Sequence, residues 1–158
     1  MKNCRSLTGQ GGLATVEMAI VGSLFFIILL GIIEVGRLMF SWNALNEVTR
    51  RGARLAAVCS VNDTEAVRNA AIFNGEVIAG LTPEDVIITY LDTAGAPVVD
   101  TNTNFGDIIF VRVSIADSFQ YRLLIPFYYG WLNAPAFSTT VVAESLGVSP
   151  PGAGTPTC

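Results

Sequence analysis

The 158-residue sequence contains no histidine, only three cysteines, and charged side chains at only 14% of its positions. Without histidine it lacks the commonest general base and the commonest ligand of transition metals. The cysteines, Cys4, Cys59 and Cys158, form no CxxC pair or other metal-ligand spacing. The formal net charge is −4 and there is no block of like charges, so the chain lacks the clustered basic residues of nucleic-acid-binding proteins. Because nucleophile elbows and phosphate-binding loops are absent as well, we expect a non-enzymatic protein without metal, cofactor or nucleic acid.

One long apolar run dominates the chain. Residues Met18–Ile33 are uncharged and mostly apolar, with Glu17 directly before them and Glu34 directly after. The run is slightly shorter than the roughly 20 residues that cross a bilayer. Extending it back to Leu13 restores the length but places the Glu17 carboxylate inside the span, where an acid is costly and needs a partner. We therefore predict one membrane span at about residues 13–35, surrounded by lipid bilayer, with a functional role for Glu17.

The polar N-terminal stretch is a predicted leader. Residues 1–12, MKNCRSLTGQGG, include two basic residues and no acid, as in the n-region of an export signal. No small-x-small cleavage site follows the apolar run. The LAAVC stretch at residues 55–59 is a poor lipoprotein box, because valine precedes its cysteine far beyond the run. The apolar helix is therefore expected to stay on the mature protein.

The residues around the start of the span resemble the type IV prepilin family. Gly12 stands directly before Leu-Ala-Thr-Val-Glu, so that Glu17 is the fifth residue after the glycine. The resemblance implies cleavage after Gly12 by a prepilin peptidase on the cytoplasmic side and N-methylation of the new terminus, Leu13. A cut after Gly11 is a weaker alternative, since Glu17 would then be sixth. The other alternative is an uncleaved single-span anchor whose Glu17 side chain reaches the membrane interface.

Glu17 is the predicted determinant of subunit register. Its carboxylate needs a cation, and the nearest candidate is the free α-amine of Leu13, from the same subunit or a neighbour. Pairing between subunits would fix the axial register of bundled helices. Because basic residues flank the span on both sides, charge counting does not give its orientation. The resemblance implies an inner-membrane, single-pass protein with a cytoplasmic N-terminus and a periplasmic or extracellular C-terminal domain.

The helical pattern continues beyond the membrane to about Ala57. Apolar residues recur there at steps of three and four along one face, which predicts one helix of about 65 Å. The blocks GIIEVGR at residues 31–37 and RGAR at residues 51–54 resemble the TadE-like family, pilin-related proteins of the tight-adherence (Flp) pilus apparatus. This resemblance covers residues 9 to about 57.

Several residues of this helix are candidates for contacts between helices. Gly22, Gly31 and Gly36 would permit close approach of a second helix, although glycine is also common in membrane helices. Glu34 and Arg37 are three residues apart and can pair on one face. An ordinary interfacial ion pair and a role in assembly remain equally open for them.

The sequence after the long helix predicts a pilin-like α+β domain at residues 58–148, followed by a flexible tail at residues 149–158. A capping-box-like start at Asn62 precedes a second, short helix that ends near Gly80. Strands are predicted at residues 86–91, 107–115 and 137–146, which gives a small antiparallel three-stranded sheet packed on the helices.

Two further features of the C-terminal part have alternative interpretations. Six of the fifteen aromatic residues lie between Phe119 and Trp131, and they either contact a partner subunit or complete the core of the sheet. Leader removal would leave only Cys59 and Cys158, and an exported domain favours a disulfide between them over two free thiols. The candidate partner patch consists of Phe119, Tyr121, Phe127, Tyr128, Tyr129 and Trp131.

The family resemblance implies a minor pilin or pseudopilin of a Tad/Flp type IV pilus, with a role in adhesion. Its C-terminal domain is far larger than the very short major pilins of that system, which favours low copy number. The expected partners are prepilin peptidase, other pilins or pseudopilins, and the inner-membrane assembly platform. The sequence does not distinguish a subunit of the filament from a membrane-bound assembly factor. The alternative is a membrane-anchored binding or adhesion module that is never processed as a prepilin.

Overall fold

The computed structural model describes residues 11–75, 77–124, 130–148 and 158. Helix α1 is followed by a short helix α2 and five short strands, so the predicted α+β class is confirmed. Single 3₁₀ turns lie at Phe73–Gly75, Pro83–Asp85 and Phe105–Asp107. The elements are α1 Gly11–Val58, α2 Thr64–Ala71, β1 Val86–Leu91, β2 Phe110–Ile115, β3 Gln120–Arg122, β4 Trp131–Asn133 and β5 Ser138–Val142.

Helix α1 is one uninterrupted element of 48 residues, about 72 Å long at 1.5 Å per residue. Its first half is apolar on all sides and leaves nearly every side chain exposed. Its second half is amphipathic and buries one stripe, which includes Leu45, Val48, Ala53 and Ala56. The domain core therefore surrounds only the C-terminal half of the helix.

The main sheet has the order β1-β2-β5 and is antiparallel throughout. On the central strand β2, Val111, Val113 and Ile115 point inward and are buried, whereas Arg112 points outward. This period-two alternation puts one apolar face of the sheet against the helices. The sheet accordingly closes the core over α1.

Gly52 allows the closest contact in this core. A Cβ atom at this position would lie 3.2 Å from Cγ1 of Val113 and 3.3 Å from Cβ of Ala71. Glycine therefore lets β2 and α2 both approach α1 at one level. The RGAR block that carries the family resemblance thus includes a packing residue.

The structure corrects the predicted extent of the second helix. α2 ends at Ala71 rather than near Gly80, because Phe73 and Asn74 adopt positive φ angles of 54° and 56° that no α-helix accommodates. The predicted capping box at Asn62 is also wrong. The residue before the helix is Asp63, which makes no capping hydrogen bond with its side chain.

The strands differ from prediction in length and number. β1 has the predicted bounds, whereas β2 and β5 are shorter than the predicted 107–115 and 137–146. A second sheet, formed by β3 and β4, was not predicted at all. Both of its strands have only three residues, too few for a period-two pattern to stand out.

A disulfide joins Cys59, at the C-terminal end of α1, to Cys158, as predicted. The chain also returns to this end through its backbone, because the amides of Leu146 and Gly147 donate to the carbonyls of Ala57 and Val58. The end of the domain farthest from the apolar half of α1, called the distal end below, is therefore fastened covalently and by hydrogen bonds.

Candidate functional site

The N-terminal half of α1 has the physical character of a membrane span. One helix in the described part of the chain is long and apolar enough to cross a bilayer, and its most apolar window is entirely unburied. Phe25, Phe26 and Ile27 are typical of this half, since each leaves more than half of its surface exposed. In a protein of this size, so large an exposed apolar surface needs lipid or other helices around it.

The predicted processing site lies at the very start of this helix. Gly12 is in α1 with no atom near the position of a Cβ, and Leu13 and Glu17 are exposed. Leader residues 1–10 lie outside the described residues. The ion pairs within the described ranges are Glu34–Arg37 and Glu47–Arg50, so the Glu17 carboxylate has no cationic partner there. A partner for Glu17 must therefore be sought elsewhere.

The three candidate contact glycines open toward the outside of the chain. A Cβ atom at Gly22, Gly31 or Gly36 would meet nothing within 4 Å. This differs from Gly52, where the neighbouring β2 and α2 fill the space. The surface at the three glycines is thus available to another helix, while Gly52 is already used within the chain.

The end of the apolar run is the most constrained polar site in the structure. Glu34 is buried, and its Oε2 accepts a hydrogen bond from Nη1 of Arg37 at 2.7 Å. Its Oε1 accepts a hydrogen bond from the backbone amide of Leu124 at 3.0 Å. The sequence indicated the first contact through the i,i+3 spacing, but it held no signal for the second, which joins residues 90 positions apart.

Tyr121 completes this cluster. The guanidinium carbon of Arg37 lies 5.6 Å from the centre of the Tyr121 ring, within cation–π range. Burial, and secondarily the Glu34 carboxylate, raise the pKa of Tyr121 above its usual value of 10.0, against smaller opposing effects of Arg37 and Ser41. The phenol therefore stays neutral at physiological pH, and the cluster is a structural clamp between α1 and β3.

The predicted aromatic partner patch is divided by the fold. Phe119 and Tyr121 are buried within this chain's own core, whereas Trp131 is exposed. Phe127, Tyr128 and Tyr129 lie outside the described residues. Within the described residues, Trp131 alone remains a candidate for an external contact.

In the described part of the chain, no three His, Cys, Asp or Glu side chains come together where they could hold a metal ion.

Comparison with protein families gives a match to the TadE-like protein model over residues 12–54. No curated protein and no solved structure matches the chain. The matched segment begins at Gly12 and includes the apolar half of α1, the Glu34–Arg37 pair and Gly52. The match confirms the TadE-like resemblance predicted from these motifs, and it covers the N-terminal part of the chain, residues 12–54.

Proposed function

We propose that this protein is a minor pilin or pseudopilin that acts in the biogenesis of a Tad/Flp type IV pilus and so in surface attachment. The observation that carries the proposal is the coincidence of three features in one helix. These are the glycine–glutamate spacing at the start, the exposed apolar half, and the TadE-like match over residues 12–54. A simple membrane anchor requires only the second of these.

Processing is the first step of the proposed role. Prepilin peptidase cuts after Gly12 on the cytoplasmic side, and Leu13 becomes the N-methylated first residue. Both residues are exposed at the start of α1, with open space around Gly12, as a protease substrate requires. Because the apolar helix stays attached, the mature chain remains in the inner membrane with its C-terminal domain outside.

Glu17 then acts between subunits. A carboxylate in an apolar helix is costly unless a cation neutralises it. Since the described part of this chain supplies no cation to Glu17, the new α-amine of Leu13 on a neighbouring subunit is its proposed partner. Gly22, Gly31 and Gly36 leave room for that neighbour's helix to approach.

The bulky C-terminal domain favours a minor position. It packs along one face of the second half of α1, so that only the apolar half is free on all sides to pack in a helical bundle. Such a subunit fits the start or tip of a filament, or the membrane-bound platform, better than the bulk of a pilus. Its proposed partners are other pilins or pseudopilins and the assembly platform.

The experiment that tests this proposal compares two acid variants in the native host. We expect Glu17→Gln to remain membrane-bound but to lose co-purification with other pilus subunits and to reduce surface pili at least tenfold. Glu47→Gln is the matched control, because Glu47 is an exposed acid on the same helix beyond the membrane. Normal piliation and normal subunit association of Glu17→Gln would contradict the proposal.

A further inference from the structure

A cleft of about 400 Å³ lies beside the Glu34 clamp, and neither the fold nor the proposed assembly role uses it. It combines two arginines with apolar side chains. Glu34 neutralises Arg37, but Arg122 is exposed and takes part in neither ion pair within the described ranges. The cleft therefore offers one uncompensated positive charge next to an apolar wall. Its lining includes Arg37, Phe40, Val77, Tyr121, Arg122 and Leu124.

The height of this cleft above the membrane follows from how β3 runs along α1. Tyr121 lies against Arg37, and the amide of Leu124 binds Glu34, which is nearer the span. β3 thus runs antiparallel to α1, and its end points toward the bilayer. Leu124 is consequently at the level of the residue that directly follows the apolar run.

That level corresponds to the lipid headgroups. The headgroup layer adds roughly 5–8 Å on each side of a hydrocarbon core of about 30 Å. At 1.5 Å per residue, the first five residues after Ile33 lie within this layer when the helix is upright. Arg37, and with it the cleft, is therefore at the depth of the lipid phosphates.

The side chains around the cleft suit this depth. Leu124 and Trp131 are 59% and 61% exposed, although both are large and apolar. Trp131 stands opposite Arg122 in the β3–β4 pair. Tryptophan prefers the membrane interface, and arginine can extend its apolar stem through that layer to reach phosphate. Since this surface continues directly from the span, lipid is the occupant that already surrounds it.

We propose that this cleft binds the phosphate of a membrane lipid headgroup, with Arg122 as the main cation and Leu124 and Trp131 in the apolar interface. Binding would hold the C-terminal domain against the bilayer in one orientation until the subunit leaves the membrane. The inference rests on the membrane placement in the proposed function, but not on cleavage after Gly12.

The test uses the full chain in vesicles of phosphatidylcholine and phosphatidylglycerol that carry a headgroup quencher of tryptophan fluorescence. Trp42→Phe leaves Trp131 as the sole reporter. The matched control carries Trp42→Phe, Trp131→Phe and Val142→Trp, which moves the reporter to an exposed position on β5. Val142 is near the distal end, because the backbone amide of Glu144, two residues further on, donates a hydrogen bond to the carbonyl of Ala57. Circular dichroism checks that both chains fold.

We expect at least threefold stronger quenching of Trp131 than of the reporter at Val142. Arg122→Gln should remove at least half of that difference, while Arg54→Gln, an exposed arginine nearer the distal end of α1, should leave it unchanged. Equal quenching at both positions, or no effect of Arg122→Gln, would overturn the proposal. The proposal would also be overturned if inorganic phosphate changed the fluorescence of the detergent-solubilised chain while Trp131 was not quenched in vesicles. That result would indicate a site for free phosphate.

Two results distinguish a failure of this inference from a failure of the proposed function. The unprocessed chain is suitable for the vesicle experiment, since the depth of the cleft depends on the span alone. Strong quenching of Trp131 in a chain that is never cleaved in the host would refute the pilin role and leave lipid binding standing. Extraction of the chain from vesicles by alkaline carbonate would instead refute the membrane span, and lipid binding with it.

Discussion

The two halves of α1 are equally helical but belong to different environments. Leu24, in the first half, is 59% exposed, whereas Leu45, in the second half, is 1% exposed. The first half has apolar side chains on all faces and leaves nearly all of them exposed, while the second half keeps polar residues on the face away from the domain. The domain therefore folds around one half of α1 and leaves the other half for contacts outside this chain.

The clamp at Glu34 marks the boundary between these halves. A buried carboxylate with one cation and one amide donor is satisfied on both oxygens. It therefore allows the domain to begin directly where the apolar run ends. The position of the domain relative to the apolar half of α1 is thus fixed by this contact as well as by the helix itself.

The largest effect should come from opening the disulfide at the distal end. Its loop spans 99 positions, and closing a loop of this size stabilises a fold by about 4.7 kcal/mol in the chain-entropy model. We expect Cys158→Ser to lower the free energy of unfolding of the domain by about this amount. Denaturant unfolding of the full chain in detergent, followed by circular dichroism, measures it. An unchanged midpoint would show that the backbone contacts at Ala57 and Val58 suffice.

Truncating matched leucines tests the comparison itself. Leu45→Ala removes a fully buried side chain and should cost about 3 kcal/mol, within the usual range for such cavities. Leu24→Ala, in the exposed half, should leave the unfolding of the domain unchanged, because the Leu24 side chain lies outside the buried core. Equal effects of the two substitutions would contradict the division of α1 into two halves.

Adding a side chain at matched glycines should have a somewhat smaller effect. Gly52→Val would push against Val113 and Ala71, and such overpacking costs about 2 kcal/mol. Gly31→Val has open space within the chain and should keep the domain stable. If the surface at Gly31 contacts another subunit, this second variant should instead weaken pilus assembly. Stability is measured by thermal unfolding and assembly by co-purification.

A hydrogen bond between α1 and β5 should contribute less again. The hydroxyls of Thr49 and Thr139 lie 2.9 Å apart, and Thr49 also donates to the carbonyl of Asn46. Thr49→Val keeps the shape and loses both bonds, which should cost about 1 kcal/mol. Ser23→Ala is the control in the exposed half, where the lost bond is only local. A cost at Ser23 as large as at Thr49 would argue against a special role of the buried pair.

The smallest effect is a loss of stability at alkaline pH, where tyrosines ionise. It concerns the C-terminal domain alone, since α1 contains no tyrosine. Burial raises the pKa of Tyr90, and burial together with Glu34 raises that of Tyr121. The folded state therefore holds these protons more tightly than the unfolded state. Stability should be constant below about pH 10 and fall as the pH rises through the raised pKa values. Tyr90→Phe with Tyr121→Phe should flatten this fall in the melting temperature, and an unchanged fall would assign it to other groups.

The main elements could be predicted from the sequence because each has a strong periodic signal. The charge-free run and the stripe of apolar residues behind it gave α1 within two residues at its start and one at its end. The β-branched residues of β1 gave that strand with its observed bounds. Where periodicity is sustained over a whole element, local pattern and tertiary packing agree.

The other features of the fold depend on tertiary contacts or backbone angles that no local sequence pattern indicates. The positive φ angles at Phe73 and Asn74 end α2 early, although the helical periodicity continues past them. The bond from Leu124 to Glu34 joins positions that only the tertiary fold brings together. The lining of the cleft could therefore not be predicted as a group, although Tyr121 and Trp131 already belonged to the predicted aromatic patch.

The most direct test of the account is the intact mass of the protein purified from its native membrane, with N-terminal sequencing. The account predicts a mature chain that begins at Leu13, with or without an N-methyl group, and a full-length chain in cells that lack prepilin peptidase. Retention of residues 1–12 in cells with an active peptidase would contradict it. The apolar half of α1 would then be a plain membrane anchor, and the tethered binding module would become the better explanation.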